Sequence, residues 1–143
     1  LRCDWSSDVC SSDLSFCFNR KEAKDHGEGG NLVGHLPRDG ERVLIVEDVT
    51  TAGTSIRETV PVLRAQARVE LAGLIVSVDR QERGPGGGSA LAEVGAEFDM
   101  PTFSIVTLDE IVEHLTGREI DGSPVLTPDI LERIEAYRTE YGA

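Results

Sequence analysis

The sequence predicts an α/β fold in which helices flank a doubly wound, mainly parallel β-sheet. Short apolar runs alternate with helical patterns from Ser15 onward, as in successive β-α-β units. Neither an internal repeat nor a second composition regime appears after that point. A chain of 143 residues is long enough for one ordinary domain and too short for two. We therefore expect a single domain over residues 15–143.

Four runs predict strands. Ser15–Asn19 predicts a brief first strand, before the larger ones. Arg42–Val49 contains the continuous apolar run Val43–Val46, which predicts a strand buried on both faces of the sheet. Leu71–Asp79 predicts a second buried strand, and Thr102–Val106 predicts a third.

The first helix follows the strand at Arg42–Val49. Ser55 and Glu58 have the spacing of a capping box, which predicts that the helix opens at Ser55. Pro61 lies inside the helix and predicts a bend, because proline removes one amide donor. The apolar stripe that we expect on its buried side consists of Ile56, Val60, Leu63 and Ala67.

Three further helices are predicted. Ala90–Ala96 predicts a short one. Thr107 and Glu110 predict a capped start for the next, which Gly117 ends. Thr127–Pro128 has the order of a cap followed by proline and predicts the last helix. The residues expected on its buried side are Ile130, Ile134, Tyr137 and Tyr141.

Charge and cysteine content exclude several classes of function. The 14 Lys and Arg residues against 26 Asp and Glu give a net charge of −12, which disfavours nucleic-acid and anionic-membrane partners. The apolar runs are far shorter than the ~20 residues that span a bilayer, and no secretory leader opens the chain. Cys3, Cys10 and Cys17 lack metal-ligand spacing, and their odd number argues against a disulfide framework. We expect a cytoplasmic protein.

The first 14 residues differ from the rest. Ser6–Val9 and Ser11–Leu14 form a near-repeat around Cys10, without helical or strand periodicity. One interpretation of this segment is a low-complexity tail. The other is non-native sequence, because one reading frame of a common sequencing-library adapter would encode Asp4–Leu14. We favour the second interpretation and exclude residues 1–14 from the domain. Resequencing the source DNA across the junction tests it.

The segment Glu47–Ser55 contains the residues whose pattern points most clearly to a ligand-binding site. A predicted buried strand delivers the adjacent carboxylates of Glu47 and Asp48 to the carboxyl edge of the sheet, where open α/β folds bind ligands. The small loop Thr50–Ser55 then enters a helix N-terminus, which favours a phosphate. Since two acids repel a bare phosphate, a ribose phosphate whose hydroxyls they bind fits better. The alternative is a tight turn with two solvated acids.

These residues resemble the orotate phosphoribosyltransferase family, one of the type I phosphoribosyltransferases. Glu47–Ser55 is similar to the motif of that superfamily that binds phosphoribosyl pyrophosphate. Asn19–Gly30 and Asp79–Gly84 are similar to segments of the orotate enzyme, and the resemblance runs from about Phe16 to the C-terminus. It implies a pentosyltransferase of pyrimidine biosynthesis, which transfers ribose 5-phosphate from phosphoribosyl pyrophosphate to orotate. It also implies that N-terminal elements of the fold are missing here.

The resemblance assigns roles to individual residues. Lys24 and His26 are the expected catalytic residues, on a loop, Arg20–Gly30, that acts on the partner's site in a homodimer. Thr51 and Arg80 are expected to bind orotate, and Mg²⁺ is expected to be carried mainly by the substrate. The residues expected to bind phosphoribosyl pyrophosphate are Arg20, Lys21, Lys24, His26, Glu47, Asp48, Val49, Thr50, Thr51, Ala52, Gly53, Thr54 and Ser55.

Alternatives remain for both the roles and the function. The basic loop could be an ordinary solvated loop, and Arg80 could be a surface arginine paired with Glu82 or Asp79. The chain could belong to a regulator that binds phosphoribosyl pyrophosphate without turnover, or to an enzyme for another base. It could also be an inactive fragment.

Overall fold

A computed structural model describes residues 14–19 and 32–143. Two parts of the sequence prediction lie outside the described residues. They are residues 1–13 of the N-terminal segment and the loop residues Arg20, Lys21, Lys24 and His26. The strands are β1 (Cys17–Asn19), β2 (Leu32–Gly34), β3 (Arg42–Val49), β4 (Glu70–Asp79), β5 (Thr102–Thr107), β6 (Glu119–Ile120) and β7 (Ser123–Pro124). The helices are α1 (Thr54–Gln66), α2 (Ala90–Phe98), α3 (Leu108–Leu115) and α4 (Pro128–Tyr141).

The central sheet has three parallel strands in the order β3-β4-β5. Helix α1 connects β3 to β4, and α2 connects β4 to β5, as in successive β-α-β units. The predicted α/β class with a parallel sheet is therefore confirmed, and its three main strands agree with the predicted bounds to within one residue. Two separate antiparallel pairs are formed by β1 with β2 and by the short β6 with β7.

One face of the central sheet carries the core. Ile45, Leu74 and Val76 are buried on this face against the two connecting helices. The helices contribute Ile56, Val60, Leu63, Leu91 and Val94. Each such side chain contributes about 1.5–3 kcal/mol on burial, so this layer is the main source of stability in the described part of the chain.

The opposite face of the same sheet is exposed. Val46 pairs with Ile75, which pairs with Phe103, so the three residues form a line across it. Val46 is 67% exposed and Ile105 is 72% exposed. The prediction that Val43–Val46 is buried on both faces is therefore wrong for the structure described. Strand residues alternate between faces, and the described helices cover only one of them.

The start of α1 also differs from the prediction. The helix begins at Thr54 with Gly53 as its N-cap, and no described side chain caps it, so the predicted capping box of Ser55 and Glu58 is not formed. Gly53 has φ of 72°, in the left-handed region, and a Cβ there would overlap the side chain of Val94. Only glycine meets both demands at low cost. Pro61 is accommodated inside the helix.

The other helix starts follow the sequence signals. Thr107 and Glu110 form the predicted capping box of α3, and Thr127 caps α4 with Pro128 in its first turn. The expected buried side of α4 is only partly buried, because Tyr141 is 48% exposed. None of the described helices combines the length and apolar character needed to cross a membrane.

Candidate functional site at the carboxyl edge of the sheet

The predicted site residues lie where the central strands end. Strand β3 ends at Val49 and β4 at Asp79, and Val49 pairs with Val78 in parallel register. The turn that follows β3 and the loop that follows β4 therefore leave the same edge of the sheet. Ligands of open α/β folds bind at this edge, so the geometry places Glu47–Ser55 and Arg80 in one neighbourhood.

The turn after β3 presents the N-terminus of α1, which no side chain in residues 14–19 or 32–143 caps. The first helical bond after the turn runs from the amide of Arg57 to the carbonyl of Gly53 at 3.0 Å. The guanidinium of Arg57 donates to the carbonyl of Ala52 and forms an ion pair with Glu97 at 2.7 Å, which ties the turn to α2. The result is a fixed turn whose amides and helix dipole favour an anion.

The two acids of the motif lie on opposite faces of the sheet edge. Glu47 is half-buried on the face of Ile45, whereas Asp48 is exposed on the face of Val46. The amide of Val49 donates to Oδ1 of Asp48 at 2.6 Å, which fixes that carboxylate. The structure therefore makes Asp48 the more accessible carboxylate for a ligand at this edge.

Arg80 lies beside the turn. Its Nη2 donates to Oγ1 of Thr51 at 2.9 Å and also lies 2.9 Å from Oε1 of Glu82. The structure thus brings together Arg80 and Thr51, the two residues that the family resemblance assigns to orotate. It also contains the ion pair with Glu82 that was the alternative explanation for this arginine.

Two further residues belong to this cluster, and their contact with each other was not predicted. The carboxylate of Glu82 is almost fully buried, with 6% of its side chain exposed. The hydroxyl of Tyr137 on α4 donates to Oε1 of Glu82, 55 residues away in sequence. Burial, and then the hydrogen bond to Glu82, raise the pKa of the Tyr137 phenol. No local pattern reveals this contact, because it depends on how the C-terminal helix packs.

Two buried polar atoms in the same neighbourhood lack a partner among the described residues. They are Nε of Arg80 and Oγ1 of Thr50. Buried polar atoms are almost always hydrogen-bonded, so unpartnered ones at a ligand-binding edge point to a polar ligand or to water. An open cleft of about 380 Å³ lies next to Arg80, between the start of α3 and α4. Its lining residues are Arg80, Leu108, Ile130, Arg133, Ile134 and Tyr137.

Comparisons with curated proteins find relatives about half identical to this chain. The chain is 53% identical over 131 residues to the orotate phosphoribosyltransferase of Clostridium beijerinckii, covering 92% of this chain and 58% of that protein. It is 49% identical over 136 residues to the orotate phosphoribosyltransferase of Lachnoclostridium phytofermentans, covering 95% of this chain and 60% of that protein. No protein-family model matches.

A solved structure gives the same result for the fold. The crystal structure of orotate phosphoribosyltransferase from Francisella tularensis superposes with a TM-score of 0.65 at 27% identity. The match covers 92% of this chain and 57% of that one. The chain therefore spans somewhat less than two thirds of the length of the relatives that it matches.

Proposed function

We propose that this chain, a homologue of the orotate phosphoribosyltransferases in sequence and fold, belongs to an enzyme with that activity. In the proposed reaction a ring nitrogen of orotate gives up its proton to solvent and forms a bond to the anomeric carbon of phosphoribosyl pyrophosphate. The bond from that carbon to the pyrophosphate oxygen breaks, and its electron pair leaves with pyrophosphate. The product is orotidine 5′-phosphate. The observation that carries the proposal is the uncapped N-terminus of α1 directly beside Arg80 and Thr51.

The turn after β3 is proposed to hold the 5′-phosphate of the substrate. The amides at the start of α1 and the hydroxyls of Thr51, Thr54 and Ser55 are donors suited to phosphate oxygens. Gly53 allows the close approach of the backbone. Holding this phosphate fixes the anomeric carbon relative to the incoming base, which is the main task for a transition state of loose, oxocarbenium-like character.

The acids at the end of β3 are proposed to bind the ribose hydroxyls. Asp48 is exposed and its carboxylate is fixed by the amide of Val49, so it is the better placed of the two in this structure. Its oxygens also suit Mg²⁺, which prefers carboxylate, phosphate and water ligands. Within residues 14–19 and 32–143 no group of three or more acidic, histidine or cysteine side chains forms a metal site. We propose that Mg²⁺ supplies charge neutralisation while bound mainly to pyrophosphate oxygens.

The leaving pyrophosphate is proposed to be stabilised by Arg20, Lys21, Lys24 and His26. This part of the proposal depends on the family resemblance, since these residues lie outside the described ones. Cationic side chains favour the negative charge that develops on the leaving group. In the proposed homodimer the loop Arg20–Gly30 acts on the site of the other subunit.

A mixed-dimer experiment tests this arrangement. Lys24→Ala subunits and Asp48→Asn subunits are each expected to be inactive alone, because one lacks the loop cation and the other the ribose carboxylate. Mixing them is expected to restore one complete site per heterodimer, and thus about a quarter to a half of wild-type activity per dimer. Activity that stays absent after mixing, with heterodimers present by native mass spectrometry, contradicts action between subunits.

Orotate-dependent release of pyrophosphate tests the function itself. We expect release from phosphoribosyl pyrophosphate only when orotate and Mg²⁺ are present, and strong loss of it in Asp48→Asn. Asp129→Asn, an exposed acid in the first turn of α4, is the matched control and is expected to retain activity. Binding of phosphoribosyl pyrophosphate with no release under any base favours the regulator. Release with another base but not with orotate contradicts the assigned substrate.

A further inference from the structure

We propose that Glu82 and Tyr137 are positioning residues that hold the guanidinium of Arg80 in place for the carboxylate of orotate. This inference rests on the proposed function, and it assigns a role to the C-terminal helix in recognising the base. Neither residue contacts the substrate in this proposal. They act through Arg80, which lies between them and the turn after β3.

The contacts form a chain of three side chains. Oε1 of Glu82 lies 2.9 Å from Nη2 of Arg80, and the same oxygen accepts the hydroxyl hydrogen of Tyr137. Nη2 of Arg80 also donates to Oγ1 of Thr51 at 2.9 Å. The end of the guanidinium is thus fixed from two directions, by a carboxylate from the loop after β4 and by a hydroxyl from the turn after β3.

Burial explains why this arrangement is stable in one geometry. A carboxylate with 6% of its side chain exposed is costly unless it is paired and hydrogen-bonded. Glu82 therefore keeps both Arg80 and Tyr137 as partners. Burial, and then the hydrogen bond to Glu82, raise the pKa of the Tyr137 phenol further above neutral, so the phenol is a donor to this carboxylate at neutral pH.

The backbone holds Tyr137 and Glu82 together independently of these side chains. The amide of Arg83 donates to the carbonyl of Tyr141 at 2.7 Å, and the amide of Ala143 donates to the carbonyl of Gln81 at 3.0 Å. Glu82 and Gly142 form an isolated bridge between them. The end of α4 is thus attached to the backbone segment that follows Arg80, which gives Tyr137 a fixed position relative to that arginine.

The remaining donors of Arg80 point to a ligand. Its Nε is buried and has no partner among the described residues, while Nη2 is occupied by Thr51 and Glu82. With Nη2 engaged by Thr51 and Glu82, a carboxylate is left single N–H donors of the guanidinium, and their directions depend on the orientation of its plane. A cluster that fixes one end of this plane therefore sets the affinity for a carboxylate-bearing base.

The positioning can be measured without any ligand. The Nε–Hε signal of Arg80 in ¹⁵N–¹H NMR spectra of this chain, assigned with Arg80→Lys, reports the environment of the guanidinium. We expect this signal to shift and broaden in Tyr137→Phe and in Glu82→Gln. The matched control is Tyr141→Phe, because the Tyr141 ring lies 5.1 Å from that of Tyr137 but is more exposed. An Arg80 signal unchanged in Tyr137→Phe overturns the positioning.

Calorimetric titration then tests what the positioning serves. Tyr137→Phe is expected to weaken orotate binding about 3- to 10-fold, the effect of one hydrogen bond, with unchanged binding of phosphoribosyl pyrophosphate. Tyr141→Phe is expected to change neither. Equal losses for the two ligands in Tyr137→Phe mean a general structural role and overturn the inference. If the wild-type chain binds no orotate, the proposed substrate is contradicted, and the Arg80 signal still decides whether Tyr137 positions the guanidinium.

Discussion

Backbone conformation and side-chain packing both require glycine at position 53. Its φ of 72° lies in the left-handed region, and the side chain of Val94 on α2 occupies the space that a Cβ would need. Both demands come from the turn that brings β3 into α1. The same turn leaves the helix amides without a side-chain cap, so the conformation of one residue links the packing of α2 to the candidate phosphate site.

Replacing Gly53 by alanine is expected to destabilise the protein more than the backbone alone explains. The matched control is Gly117→Ala, because Gly117 has φ of 74° with open space around its Cα. The control is expected to cost about 1–2 kcal/mol for the left-handed backbone. Gly53→Ala is expected to cost ~1–3 kcal/mol more, because the added methyl group overpacks the contact with Val94. Urea denaturation of both variants measures the difference, and equal losses contradict the packing explanation.

Arg80→Ala is expected to weaken the binding of one proposed substrate much more than that of the other. Loss of the guanidinium is expected to weaken orotate binding by about 10- to 100-fold, the range for hydrogen bonds to a charged group, and to leave binding of phosphoribosyl pyrophosphate nearly unchanged. Arg83→Ala is the control, since Arg83 is an exposed arginine three residues further along. Calorimetry with each ligand provides the measurement. Similar losses for both ligands argue against the assignment of Arg80 to the base.

The sequence predicted which segments meet better than it predicted their contacts. Glu47–Ser55 and Arg80 lie at one edge of the sheet, as expected for residues that follow neighbouring parallel strands, and their roles stay predictions. The contact of Tyr137 with Glu82 was not predictable, because it spans 55 positions and depends on the packing of α4. The start of α1 was also misplaced. Ser55 has the spacing of a capping box, but the helix begins at Thr54 with Gly53 as its N-cap.

Local signals were sufficient for elements whose ends are set by nearby residues. The amide of Glu110 donates a hydrogen bond to the hydroxyl of Thr107, and the amide of Thr107 donates one to the carboxylate of Glu110 at 2.7 Å. Such reciprocal bonds need only four consecutive residues, so the sequence pattern predicts them well. The two-residue strands β6 and β7 were missed, because so short a pair has no periodicity to detect.

Loss of the α3 cap is expected to lower stability. Thr107→Ala removes the acceptor for the amide of Glu110 and is expected to cost about 1 kcal/mol. Thr139→Ala is the control, because Thr139 lies inside α4 and its hydroxyl only donates to the carbonyl of Glu135. The control is expected to be neutral or slightly stabilising, since alanine is the better helix former. Thermal unfolding of both variants measures this, and an unaffected Thr107→Ala shows that the cap contributes nothing.

The exposed sheet face is the main feature at the scale of the whole molecule. Leu44, Val46, Phe103 and Ile105 are all more than half exposed on one side of the sheet. Large contiguous apolar patches of this kind are rare on monomeric proteins. The apolar run Val43–Val46 taken alone predicts burial, because such a run does not say which element provides the cover. The described chain covers one face and leaves the other bare.

This face is expected to cause self-association of the isolated chain. Val46→Thr combined with Ile105→Thr is expected to shift sedimentation toward the monomer at a given concentration, because both changes make the patch more polar while keeping β-branched side chains. Ile120→Thr is the control, since Ile120 is 65% exposed in β6, outside the central sheet. If the double variant sediments like the wild type, the face does not drive association.

The turn between β3 and α1 is proposed to bind a sugar phosphate through the amides of the helix N-terminus. Titration of the ¹⁵N-labelled chain with ribose 5-phosphate, followed by amide NMR shifts, measures this binding. We expect saturable shifts concentrated at Gly53, Thr54, Ser55 and Ile56. Saturable binding that leaves these four amides unmoved, or the absence of any shift at millimolar ligand, contradicts the proposal.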